Sequence, residues 1–186
     1  MELKEIYTRD LYEGENRQFN TDKGECHSYI QEYYNSEFAD KRDKGIKILE
    51  IGLAYGGSAR LWKHWFINGE VYIVENDSNL YKPIEGVDIR LADGYSQSTV
   101  ESFEGIEFDY IIEDGPHTFE SQLFTVKYWA EKLKPGGKLI LEDIQSLDWF
   151  DIFAEATPYK SRVVDLRLAK GKGDDLIFEI TKIKKD

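Results

Sequence analysis

From residue 45 onward the chain alternates two hydrophobic rhythms. Short, dense apolar runs predict strands at 46–51, 71–75, 88–92, 108–113, 138–142, 161–167 and 176–182, and the stretches between them carry helical signals. The clearest helix spans 118–133, with Phe119, Leu123, Val126, Ala130 and Leu133 at three- and four-residue spacing, and Lys134-Pro135-Gly136-Gly137 stops it. Such alternation is the pattern of a parallel sheet with crossover helices. Only Ala169-Lys170-Gly171-Lys172-Gly173-Asp174-Asp175 separates the last two strands, too little for a helical crossover, so they pair antiparallel as a hairpin. The expected fold is α/β: a Rossmann-like, doubly wound sheet of seven strands, mostly parallel, with a C-terminal antiparallel hairpin. Before the sheet, 26–39 reads as a helix carrying Tyr29, Tyr33, Tyr34 and Phe38, aromatics placed to pack on the sheet or to roof the crevice at its edge.

With 186 residues and no Pro/Gly/Ser linker, the chain is read as one domain: an N-terminal helical segment over 1–44 and a Rossmann-like core over 45–186. Its apolar runs fall far short of the roughly 20 residues that span a bilayer. The charged start, MELKEIYTRDLYEGEN, has no secretory apolar core, so the expected location is cytoplasmic and off the membrane. A single cysteine, Cys26, excludes an internal disulfide and a multi-cysteine zinc cluster. The net charge of −12 repels nucleic acid and leaves a small, neutral or metal-bridged substrate as the compatible partner.

The chemistry gathers at strand ends. Leu49-Glu50-Ile51-Gly52-Leu53-Ala54-Tyr55-Gly56-Gly57-Ser58 runs from a strand into a helix, where glycines allow a tight turn and close approach of a ligand to the backbone. The spacing misses both the dinucleotide fingerprint and the phosphate-binding P-loop, which lowers the weight of an NAD-dependent oxidoreductase. Glu75 ends the second strand, where an acid can accept hydrogen bonds from a ribose diol, and Asp93-Gly94 ends the third. Either acid alone also suits a plain turn or cap. The fourth and fifth strands end in Glu113-Asp114-Gly115-Pro116-His117 and Glu142-Asp143. As neighbours in the sheet they bring Asp114, His117, Glu142 and Asp143 to one edge, a set suited to a hard divalent cation beside a general base. Alternation along the strand turns Glu113 to the opposite face.

These motifs resemble the class I S-adenosylmethionine-dependent methyltransferases, and within them the Mg²⁺-dependent sugar O-methyltransferases of the macrocin and mycinamicin type, with cephalosporin-hydroxylase-type relatives. The resemblance rests on Asp114-Gly115-Pro116-His117, where the family usually has Ser in place of Pro116, on Lys134-Pro135-Gly136-Gly137 and on Glu142-Asp143. It extends upstream to Thr21-Asp22-Lys23-Gly24, His27 and Tyr29. The fold it implies is the class I methyltransferase fold, with the 1–44 segment covering the active site. It implies Asp114, Glu142 and Asp143 as ligands to Mg²⁺ or Mn²⁺, and His117, with Asp114, as the catalytic pair. It also implies S-adenosylmethionine bound by Lys23, Glu50, Gly52, Gly56, Ser58, Glu75, Asp93, Gly94 and Asp114. The partner implied is a small molecule with a hydroxyl acceptor, a sugar or glycan precursor; a catechol-like acceptor and a non-catalytic S-adenosylmethionine-binding protein are the competing readings.

Two outer features stay open at this stage. Lys160, Arg162, Arg167, Lys170 and Lys172 make the hairpin region basic, as a charged sheet edge or as a contact for an anionic acceptor group. The helix with Leu147, Trp149, Phe150, Ile152 and Phe153 is apolar enough to pack on the sheet or on a second copy in a homo-oligomer.

Overall fold

The computed structural model describes residues 1–13 and 17–184. Its seven strands are β1 (Lys47–Ile51), β2 (Glu70–Glu75), β3 (Val87–Leu91), β4 (Phe108–Glu113), β5 (Leu133–Leu141), β6 (Tyr159–Asp165) and β7 (Leu176–Lys184). They form one sheet in the order β3-β2-β1-β4-β5-β7-β6. The first five pair in parallel, and β7 lies antiparallel between β5 and β6. The hairpin is therefore present but folded inward, with β6 as the edge strand. The helices are α1 (Leu3–Glu13), α2 (Asp22–Glu25), α3 (Asn35–Glu37), α4 (Gly57–Trp65), α5 (Gln97–Glu101), α6 (Phe119–Phe124), α7 (Trp149–Ala156) and α8 (Arg167–Lys170). Among the described residues no helix is long and apolar enough to cross a membrane.

Side chains alternate across the strands, so each strand feeds two cores. Ile48, Tyr110, Ile112, Ile140 and Ile177 face one cluster, completed by Leu3, Ile6 and Tyr7 of α1 and Trp62 and Trp65 of α4. Leu49, Ile111, Leu139, Leu141 and Phe178 face the other, completed by Val100, Phe103, Trp129 and Phe153. Phe153 of α7 is fully buried on the sheet, although Leu147 and Ile152 beside it stay exposed.

Two helices differ from the hydrophobic pattern. The 118–133 helix begins as α6, with the Thr118 hydroxyl capping Ser121 N–H, but widens into a π-helical stretch, Thr125–Trp129, and ends as a 3₁₀ turn, Ala130–Lys132. The wide turn seats Trp129 in the core with its indole N–H donating to Gly94 O at 2.8 Å. Leu133 already belongs to β5, and Lys134-Pro135-Gly136-Gly137 forms an excursion inside that strand: Phe108 pairs with Leu133, but Tyr110 pairs with Lys138. The 26–39 segment is helical only from a π turn, Ile30–Tyr34, into α3, and its four aromatics are buried. The fit of this segment depends on Gly24, where a Cβ would stand 2.3 Å from the Tyr7 ring.

The basic edge is resolved into specific partners. Arg162 grips Glu179 of β7 through Nε (2.9 Å) and Nη2 (2.8 Å), and the Tyr33 hydroxyl donates to the same carboxylate. Burial alone would raise the Glu179 carboxyl, but Arg162, Tyr33 and Lys138 hold it below the usual value. A depressed folded pKa means that this stabilisation is complete above the unfolded value and is lost as pH falls through the folded one. Glu179→Gln should then cost about 1–2 kcal/mol at pH 7, a melting shift of roughly 2–8 °C. The gap to wild type should narrow progressively as melts are taken below the ordinary glutamate pKa of about 4.3.

Candidate active site

Because β1, β4 and β5 are adjacent, their carboxyl ends place Gly52, Asp114 and Glu142-Asp143 side by side. Gly52 (φ +107°) turns so tightly that a Cβ would stand 2.1 Å from Asp114 O. Strain collects at this edge: of the four described non-glycine residues with positive φ, three are Ala54 (+44°), His117 (+53°) and Asp143 (+53°). Such backbone costs about 1–3 kcal/mol per residue and persists where surroundings enforce it, commonly at functional sites.

Two cavities open here and share Ala54, Asp114 and Gly115 as a common wall. The first, about 240 Å³, lies between Ile51, Val74, Leu80 and Pro116, with Glu75 and Gly94 at its margin. Glu75 Oε2 accepts Leu53 N–H (2.8 Å) and Oε1 accepts Asp77 N–H (2.7 Å), fixing the carboxylate in one orientation. A Cβ on Gly94 would meet Ile51 Cγ2 at 2.6 Å. Asp93 is exposed and lines neither cavity; its Oδ1 accepts Tyr95 N–H at 2.9 Å, the turn role that an Asp in this position also suits. The second cavity, about 400 Å³, is bounded by Thr21, Asp22, Tyr55, Gly57, Ser58 and His117. Gly56, at φ +75°, turns the loop toward α4 and lines neither cavity.

Beneath the shared wall lies a buried charge cage. The Lys23 ammonium, 1% exposed, meets Asp114 Oδ2 at 2.5 Å and Glu50 Oε1 at 3.3 Å, and donates to Glu142 Oε2. Glu50 Oε2 also accepts from Ser58 Oγ (2.8 Å) and Trp62 Nε1 (3.0 Å), and Glu142 Oε1 accepts from the Tyr34 hydroxyl (2.6 Å). Burial opposes the ammonium, but the three acids outweigh it and hold its pKa well above the usual value. One ammonium does not balance three acids: burial lifts Glu50 to about 7 and raises Glu142 as well, against the pull of Lys23. Lys23 and Glu50, expected at the cofactor, therefore sit below both cavities. Ser58 lines the second cavity but spends its hydroxyl on Glu50. Glu142, expected as a metal ligand, is directed into the cage with neither oxygen free of a partner.

Above the wall the picture is different. Single ligand atoms of Asp114, His117 and Asp143 lie within 4.8 Å of one another. His117 Nε2 stands 3.8 Å from Asp114 Oδ1 and 3.6 Å from Asp143 Oδ2, while its Nδ1 is buried without a hydrogen-bond partner. Asp143 Oδ1 accepts from the Tyr29 hydroxyl (2.6 Å) and lies 3.4 Å from His27 Nδ1, which is itself 2.5 Å from the buried Asp175. Glu113 faces the other way, accepting from the Tyr95 hydroxyl at 2.6 Å, as strand alternation requires. Sequence reasoning flagged His27 without a role, took Tyr29 and Tyr34 as aromatics to pack on the sheet or roof the crevice, and named Asp175 only within the connection between the last two strands. Asp175 reads as a turn residue until β7 is threaded beside β5. Lys170, considered for an anionic acceptor, instead donates to the carbonyls of Gly24, Glu25 and His27 at 2.6–3.1 Å.

The geometry has counterparts among known proteins. Demethylmacrocin O-methyltransferase of Streptomyces fradiae is 26% identical over 90% of this chain and 44% of its own length. Mycinamicin VI 2''-O-methyltransferase of Micromonospora griseorubida is 27% identical over 87% of this chain and 42% of its own. The chain thus spans less than half the length of these curated relatives. The solved MycE methyltransferase of the mycinamycin biosynthetic pathway, in complex with Mg and SAH, superposes with a TM-score of 0.62 at 25% identity, covering 77% of this chain and 39% of that one. A family model described as a methyltransferase domain matches residues 49–144, from the middle of β1 through the Glu142-Asp143 pair. The sheet order, the strand-end site and that match together place this chain in the methyltransferase-domain family.

Proposed function

We propose that the chain is an S-adenosylmethionine-dependent and Mg²⁺-dependent O-methyltransferase that methylates a hydroxyl of a small neutral acceptor, a sugar or glycan precursor. The observation that carries this reading is the position of Asp114: one residue walls both cavities and presents Oδ1 toward Asp143 and His117. The first cavity suits a nucleoside, with apolar residues for a flat base and the oriented Glu75 carboxylate for a ribose diol. The open faces of Asp114 and Asp143 beside the imidazole of His117 are hard donors that fit Mg²⁺ or Mn²⁺. When bound, the methyl donor supplies a carbon already activated on a sulfonium, and the ion supplies chelation of neighbouring acceptor oxygens with a lowered hydroxyl pKa.

The remaining work falls to the chain. His117 Nε2 takes the acceptor proton, and the backbone that holds it at φ +53° fixes the direction of approach. Tyr29 and His27 hold Asp143, and Lys23 holds Asp114, so both carboxylates are oriented before a ligand arrives. Neither cavity is lined by a lysine or arginine among the described residues, which disfavours a phosphate-bearing acceptor. The relatives are named as O-methyltransferases of demethylmacrocin, of mycinamicin VI and of a rhamnosyl tetracenomycin, the last a sugar-bearing acceptor.

The test is release of S-adenosylhomocysteine across a panel of sugars, nucleotide sugars and catechols, with Mg²⁺, with Mn²⁺ and after EDTA. Turnover is expected with a neutral sugar and should fall at least about 100-fold after EDTA, returning when either ion is added back. Undiminished turnover in EDTA would remove the metal from the mechanism, and a catechol preference would replace the sugar.

A further inference from the structure

Another cavity, about 570 Å³, is larger than either cavity of the active site and shares no lining residue with them. Its cations come from three places: Arg9 on α1, Arg42 in the turn before β1 and His64 on α4. The carboxylate on its wall, Asp10, is already committed, Oδ1 accepting Gln18 N–H at 3.0 Å and Oδ2 accepting Phe19 N–H at 2.8 Å. Arg9 and Arg42 form no ion pair among the described residues. Arg42 stands over the face of Trp65, 5.0 Å from the ring centre, and its Nη1 is buried without a hydrogen-bond partner. A guanidinium has five donors and no acceptor, and where it is partly enclosed those donors are ordinarily met by a carboxylate, a phosphate or a bound ion. Beside these charges Ile6 and Phe19, both buried, supply an apolar floor, and the Phe19 ring lies 5.3 Å from that of His64.

In a chain of net charge −12, two arginines and a histidine around one committed carboxylate reverse the local sign. His64 registers the excess: burial and the Arg42 charge hold its pKa below the usual value, with Asp10 acting less strongly in the other direction. An anion seated among these groups would relieve their repulsion and meet the open donors of Arg42. We propose that this cavity is a separate binding site for a small molecule that joins an oxyanion, a phosphate monoester or a carboxylate, to an apolar part. Arg9 and Arg42 take the oxyanion, through the planar fork that suits either group, and Ile6 and Phe19 take the apolar part. The bound molecule is not the methyl acceptor, because neither Asp114 nor His117 is on this wall. The two regions are joined by one segment: Phe19 precedes Asn20 and Thr21, which line the acceptor cavity, and Asn20 O packs where a Cβ on Gly57 would stand 1.8 Å away.

The experiment titrates the metal-free chain with phenyl phosphate, with benzoate and with benzyl alcohol, by calorimetry and by proton NMR of the imidazoles. Saturable binding of at least one of the two anions, one per chain, is expected, with none of the neutral alcohol; the tighter anion identifies the head group. Arg9→Gln and Arg42→Gln should each weaken that binding at least about 10-fold. Lys127→Gln, which removes an exposed charge elsewhere, should leave it within about twofold. The His64 ring, identified by its loss in His64→Asn, should titrate with a midpoint at least about 0.5 pH unit higher when the anion is bound. Saturating S-adenosylhomocysteine should not displace the anion. Absence of saturable binding, displacement by S-adenosylhomocysteine, or affinity in Arg9→Gln equal to wild type would overturn the proposal. Arg9 is exposed, so its variant keeps the fold and decides the matter if Arg42→Gln does not fold.

Discussion

His117→Ala should lower methyl transfer by about 10²–10⁴-fold, the usual contribution of a positioned general base, while S-adenosylmethionine still binds. The separation follows from placement: His117 lines the second cavity and is absent from the walls of the first. Titration calorimetry with the methyl donor, beside turnover with the best acceptor, measures the two effects independently. Because His117 sits at φ +53°, an added His117→Gly arm distinguishes chemistry from strain. Glycine adopts this backbone freely, so His117→Gly should be as inactive as His117→Ala. It should also melt higher, by an amount corresponding to about 1 kcal/mol. Turnover in His117→Ala within a few-fold of wild type would assign the proton to another group.

Gly52→Ala should be strongly damaging, because it combines a backbone clash with an unfavourable φ. Its Cβ would stand 2.1 Å from Asp114 O and 2.9 Å from Asp114 C, backbone atoms that have no rotamer by which to yield, and φ is +107°. Strain and displacement together should cost at least about 3 kcal/mol, a fall of roughly 6–12 °C in melting temperature. Gly105→Ala is the control: φ is +76°, but nothing lies within 4 Å of its Cβ, so only the backbone term of about 1–2 kcal/mol applies. Any form of Gly52→Ala that remains folded should bind the methyl donor poorly, because the residue that must move walls both cavities. Equal melting of the two variants would show that the β1 turn absorbs the methyl group without shifting Asp114.

The strand pattern was legible because burial on both faces leaves dense apolar runs, such as Tyr110-Ile111-Ile112 and Leu139-Ile140-Leu141, and adjacency of β4 and β5 then brings Asp114 near Asp143. Local signals failed where tertiary packing chose between similar local structures. The stripe over 118–133 does not reveal that Trp129 must reach Gly94, and Lys134-Pro135-Gly136-Gly137 reads equally as a helix stop or as a strand excursion. Side-chain direction was less legible still. Glu142 and Asp143 are adjacent acids just beyond β5, yet the first reaches Lys23 and Tyr34, while left-handed backbone at Asp143 (φ +53°) turns the second to Tyr29 and His27. Strand alternation removes Glu113 from the cluster, but it ends with β5 and the local backbone separates these two. Lys23 carried no local sign of burial, since a lysine in a polar stretch ordinarily faces solvent.

Threading β7 between β5 and β6 has a consequence for the order in which the protein is made. His27 and Tyr29 are synthesised before the Asp175 that holds His27 and the Lys170 that clamps the carbonyls of Gly24, Glu25 and His27, which emerge 143–148 residues after the groups they hold. A nascent chain truncated after β5 can pair its five parallel strands but lacks these clamps. Completion of the pocket therefore waits for β7 to insert, and a chain stopped after β5 carries the parallel strands without the contacts that hold His27 and, through it, Asp143.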